Sequence, residues 1–209
     1  MTRAARSALC LGAALAMLAV GAPGAVLATV SLPSPQALYL PADLSNVCEA
    51  SPQALQQAID RHWHGAFGAN NSLDQWTQLI RSFACDLSGS RDLGWHRVPL
   101  RAYESAIRYP LTWTETETVN GRVRRQIKTY YSAAQLPPRI DFWVGGRIDE
   151  IRYDRRLRRL DARFFAPRPA QNGRGGSADT QCAATTLQFR QQNGLWLLSG
   201  VEPTTAPRC

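Results

Sequence analysis

Apolar residues follow two different periods along this chain. Between residues 51 and 84 they recur at helical spacing: Leu55, Ile59, Trp63 or His62, and Phe67, then Leu73, Trp76, Leu79 or Ile80, and Phe83. Ser51 is a good N-cap for the first of these helices. Pro52 takes the first helical position, where its missing N–H costs nothing. Gly65 and Gly68 mark the end, and Ser72 caps a second helix expected over residues 73–84.

From Leu111 the period becomes two. Leu111, Trp113, Glu115, Glu117 and Val119 alternate with Thr112, Thr114, Thr116 and Thr118, and Asn120 with Gly121 then reads as a hairpin turn. A two-residue loop sets the register: Val119 against Arg122, Glu117 against Arg124, Glu115 against Gln126 and Trp113 against Lys128. The other face pairs the threonines with Val123, Arg125, Ile127 and Tyr131; it is less charged and is expected to face the core.

A second hairpin is expected over residues 140–165, turning at Tyr153, Asp154, Arg155 and Arg156. A rival reading as a basic amphipathic helix rests on Tyr153, Leu157, Leu160 and Phe164 at i, i+4, i+7 and i+11. Ile148, Ile151 and Phe165 fall off that stripe, which favours strands. A last hairpin is expected over residues 185–201, turning at Gln192, Asn193 and Gly194.

Two helices followed by about six strands predict an α+β domain, with N-terminal helices packed on a curved antiparallel sheet. That order of elements is similar to the cone-shaped fold of the nuclear transport factor 2-like superfamily. The resemblance rests on element order, and no motif carries a function across.

The first 28 residues change the picture by giving an address. Arg3 and Arg6 precede an uncharged apolar run over residues 8–22, and Val26, Leu27 and Ala28 place small residues at the positions of a cleavage site. Gly21, Pro23 and Gly24 interrupt the run, which favours a cleaved signal peptide over a membrane anchor. The expected organisation is a signal peptide over 1–28, an extended lead-in over 29–47 with Pro33, Pro35 and Pro41, and one domain over 48–209. The destination is periplasmic or secreted.

Of the five cysteines, Cys10 leaves with the leader. Cys48, Cys85, Cys182 and Cys209 remain, and an even number in an exported chain reads as two disulfides. Cys48–Cys85 and Cys182–Cys209 are favoured because each stays within one half of the chain. None of the four sits in a C-x-x-C pair, which argues against zinc.

The full chain carries 24 basic and 16 acidic residues, a net charge of +8. Removing Arg3 and Arg6 leaves 22 against 16, or +6, and Lys128 is the only lysine. Charge this dispersed on an exported domain points away from nucleic acid and toward an acidic protein or an anionic envelope polymer.

Candidate chemistry is sparse. The chain has no G-x-S-x-G, H-E-x-x-H, P-loop or dinucleotide fingerprint. His62 and His64, two positions apart on a helix, point to opposite sides and do not share a metal. Glu115 and Glu117 share a strand face, where cross-strand ion pairing accounts for them without catalysis. Arg147, Arg152, Arg155, Arg156, Arg158, Arg159 and Arg163 are interleaved with Asp149, Glu150, Asp154 and Asp161, so the stretch is either self-paired or a docking tip.

The expected function is non-catalytic binding of a macromolecular partner, the chain being an envelope or secretion-machinery component or an inhibitor or immunity-type protein. Arg155, Arg156, Arg158 and Arg159 are the expected binding residues, with Trp113 as an exposed aromatic opposite Lys128. No cofactor and no metal is expected. Two alternatives remain open: a pocket protein lined by Trp63, Trp76, Trp143 and Phe142, and an envelope-polymer hydrolase using His62 or His96.

Overall fold

The structure is a computed structural model describing residues 36–67, 72–85, 95–168 and 181–205, all within one compact unit. The leader falls outside these residues. So does the expected Cys182–Cys209 bridge.

A four-residue strand β1 (Gln36–Tyr39) and a short helix α1 (Ala42–Ser45) come first. Within the expected lead-in, residues 36–39 therefore join the fold by pairing with residues 150–153. Helix α2 (Pro52–Trp63) follows, with the Ser51 side chain accepting from the Ala54 N–H. It ends as His64 and Gly65 both adopt left-handed backbone, which a glycine takes without steric cost. Helix α3 (Ser72–Ala84) buries Leu73, Trp76, Ile80 and Phe83 along the face its spacing predicts. Cys48 and Cys85 form the expected disulfide, closing the helical pair across a sequence separation of 37. Beside it, the Arg81 guanidinium donates to the Val47 carbonyl and, at 2.8 Å, to that of Ala50.

The rest is mostly sheet: β2 (Trp95–Pro99), β3 (Ile107–Val119), β4 (Arg122–Tyr130), β5 (Asp141–Gly145), β6 (Arg147–Asp154), β7 (Arg159–Arg168), β8 (Gln181–Gln192) and β9 (Leu195–Thr205). Seven strands form one sheet in the order β1-β6-β7-β8-β9-β3-β4, while β2 and β5 pair separately. All pairings are antiparallel except β3 with β9, which is parallel. The α+β class therefore holds, with a larger sheet than the expected six antiparallel strands and one parallel junction. Residues 153–164 are a hairpin and not a helix: Tyr153 pairs with Leu160 and Asp154 with Arg159.

The β3–β4 register matches the hairpin rule residue for residue from Trp113↔Lys128 to Val119↔Arg122. The inward face does not. Val123, Ile127 and Tyr131 are exposed, at 62%, 68% and 68%. The reason is topological. β4 is the sheet's edge, and β3 pairs with β9 only as far as Trp113. Beyond that point the ribbon runs past the main sheet and leaves Val123 and Ile127 uncovered, while Tyr131 follows the end of β4.

The core lies between the helices and the sheet. Trp76 and Phe83 of α3 meet Phe189 of β8, with ring centroids 6.0 and 6.3 Å apart. Phe83 also meets Phe142 of β5 at 5.8 Å. Leu55, Ile59, Ile148, Ile151, Leu160, Phe164, Leu187 and Leu198 fill the remaining space.

Candidate functional site

β6, β7, β8 and β9 run as an antiparallel meander, so alternate turns emerge at the same end. The turn joining β6 to β7 spans residues 155–158, and the turn joining β8 to β9 is Asn193 with Gly194. The Gln191 N–H donates to the Arg158 carbonyl at 3.2 Å and ties the two together. The stretch following α2 supplies Ala66 and Phe67 as a third wall. Together they frame a groove of about 520 Å³, lined by Ala66, Phe67, Tyr153, Arg155, Arg158, Gln191, Asn193 and Gly194.

An aromatic cluster backs the groove. Phe67 lies 4.8 Å from Tyr153 and 5.9 Å from Trp196, and Trp63 lies 5.7 Å from Tyr153. Interlocked rings hold position well, so the groove sits on a rigid base. The turn itself is braced by Asp154, whose carboxylate accepts from the Leu157 N–H at 2.9 Å.

The structure sorts six of the seven arginines of this stretch into two groups. Arg152 pairs with Glu150 at 2.7 Å, Arg163 with Asp149 at 2.7 Å, and Arg159 with Asp161 at 3.0 Å. These strand arginines spend their charge within the sheet. Arg155, Arg156 and Arg158, in the turn, are exposed and make no ion pair with any described residue. Arg155 and Arg158 reach the groove. Burial pushes the Tyr153 phenol up, with the nearby Arg155 and Arg158 charges opposing in smaller measure.

Three of the four expected arginines thus stand together, and Arg159 is drawn into an ion pair. Trp113 is a correction. It is buried beside Phe142 of β5, ring centroids 6.1 Å apart, and is no exposed platform. On the face that the period-two pattern presented as wet, Phe142 of β5 lies against Trp113, and Glu117, Arg122 and Arg124 stay exposed. Lys128 pairs with Glu115 at 2.7 Å instead of stacking on the indole.

The tryptophan set drawn for a pocket does not converge. Trp63, Trp76 and Phe142 are packed in the core, whereas Trp143 is 55% exposed. His62 and His64 are both exposed at the end of α2, His62 edge-on to Trp63. The His96 side chain lies outside the described residues.

Phe67, Tyr153, Gln191 and Asn193 were not singled out as site residues from sequence. Their signal was present in part, because three consecutive antiparallel hairpin connections place the first and third turns side by side. Compared with protein-family models, curated proteins and solved structures, the chain matches none.

Proposed function

We propose that this chain is an exported, non-catalytic binding domain whose site is the groove between the β6–β7 and β8–β9 turns. The observation that carries the reading is the pair of guanidinium groups, Arg155 and Arg158, which reach the groove free of any described carboxylate. Planar guanidinium groups favour carboxylate and phosphate. The Gln191 and Asn193 amides add donors beside them. The ligand is therefore an anionic group on a macromolecular partner, an acidic protein or an anionic envelope polymer. Export is supported by the leader pattern and by the Cys48–Cys85 disulfide. The nuclear transport factor 2-like form is supported by helices that precede every strand of the sheet except β1 and pack on one of its faces.

The test is capture of partners from the envelope fraction by the mature protein and by R155E/R158E. The reading expects the partner to be lost in the variant while Tm stays within a few degrees. Undiminished recovery would overturn it. A second reading, a small anionic ligand in the same groove, is favoured by a volume within the range of ligand sites. Equilibrium dialysis against low-molecular-weight envelope extract distinguishes the two.

A further inference from the structure

The β4 edge carries a second, separate surface. β4 is 9 residues long and has β3 on one side and no strand on the other among the described residues. Its outer backbone N–H and C=O groups are a template for another strand. Val123 and Ile127 share one face of β4, with Arg125 between them, and both are exposed. The opposite face carries Arg122, Arg124 and Lys128, and residues 122–131 include no acid. Lys128 is paired with Glu115 and Arg125 with Glu202, while Arg122 and Arg124 make no ion pair with a described residue.

We propose that β4 is the docking edge for an extended acidic segment of a partner protein, which adds to the sheet as a new outermost strand. The charge pattern selects this occupant. A second copy of β4 would set cations against cations, which disfavours self-pairing across the edge. A segment alternating apolar and acidic residues satisfies both faces at once. Its apolar side chains cover Val123 and Ile127, and its carboxylates meet Arg122 and Arg124. Main-chain hydrogen bonds supply affinity and the alternating side chains supply selectivity. This surface is independent of the groove.

The experiment uses the mature protein with two capped nine-residue peptides, one alternating glutamate and valine, the other lysine and valine. Backbone hydrogen exchange is read with and without millimolar peptide. The proposal expects the acidic peptide to protect amides within residues 122–130. It also expects R122E/R124E, at unchanged Tm, to weaken binding by roughly tenfold or more. R155E/R158E leaves this binding unchanged. Absence of β4 protection overturns the proposal, as does equal binding of the lysine peptide. Protection at β4 that grows with protein concentration alone overturns it in favour of a second copy. Loss of peptide binding in R155E/R158E places the peptide in the groove, overturning this proposal and leaving the groove reading intact.

Discussion

Gln75 and Trp196 form a closed pair in which one side chain stands in for a strand. The Gln75 amide nitrogen donates to the Trp196 carbonyl at 3.1 Å, and its oxygen accepts from the Trp196 N–H at 2.9 Å. β9 needs this partner because β3 joins it only from Ile107, opposite Leu198. At Trp196 the strand's outer edge would otherwise leave part-buried polar groups unpaired. Trp196 also backs the groove, so helix α3 and the groove are held by the same contact.

Gln75→Ala is therefore expected to destabilise the fold by about 2 kcal/mol, because it removes two hydrogen bonds and orphans both backbone groups. Urea unfolding checks this. A loss below about 0.5 kcal/mol would show that water replaces the amide at no cost.

The burial of Trp113 separates a core residue from a recognition residue. Trp113→Ala is expected to cost about 3–5 kcal/mol, the range for removing a buried aromatic ring. A stable variant that lost partner binding would point instead to a surface role. Denaturation midpoints and partner capture on the same protein decide it.

Asp161 gives the fold a pH dependence. Burial pushes its carboxyl up to about 6 from the ordinary 3.8, with the charges of Arg159 and Arg152 opposing. Arg159 Nε and Asp161 Oδ1 approach to 3.0 Å, yet the direction of approach is poor for a hydrogen bond, so the pair offsets only part of the desolvation. The folded chain holds the Asp161 proton more tightly than the unfolded chain. Its contribution is complete below the ordinary carboxyl value and is lost as pH rises through about 6. Relative to the parent, Asp161→Asn should gain about 2–3 kcal/mol between pH 4 and pH 7.5, at 1.36 kcal/mol per unit. Parallel stability profiles for the two proteins would rule this out.

Removing the Cys48–Cys85 bridge with paired serine substitutions should cost about 3–4 kcal/mol on the chain-entropy account. Chemical denaturation of the double variant measures it. The Arg81 contacts to the 47–50 turn remain and should keep the native helix content, read by circular dichroism. A collapse of helicity would show that the bridge and not Arg81 organises the turn.

Local chemistry was legible where neighbours in sequence decide the outcome. Ser51 with Pro52 starts α2, Asn120 with Gly121 sets the β3–β4 register, and pairing cysteines within one half of the chain leads to Cys48–Cys85. The same logic failed where a distant element covers a surface. Nothing near Trp113 announces that β5 will lie over it, and nothing near Ile127 announces that β4 will be an edge.

The arginine stretch shows the division most clearly. Its composition by itself determined that a basic, hairpin-forming segment would present charge. Only the tertiary structure decided which charges are available. Strand geometry sets Arg152 beside Glu150 and Arg159 beside Asp161, two positions apart on one strand face, and pairing between β6 and β7 brings Arg163 to Asp149, whereas the turn holds Arg155, Arg156 and Arg158 clear of any described acid. The physical reason is that hydrogen-bond periods and turn preferences act over a few residues. Burial and charge pairing depend on which strands the chain brings side by side.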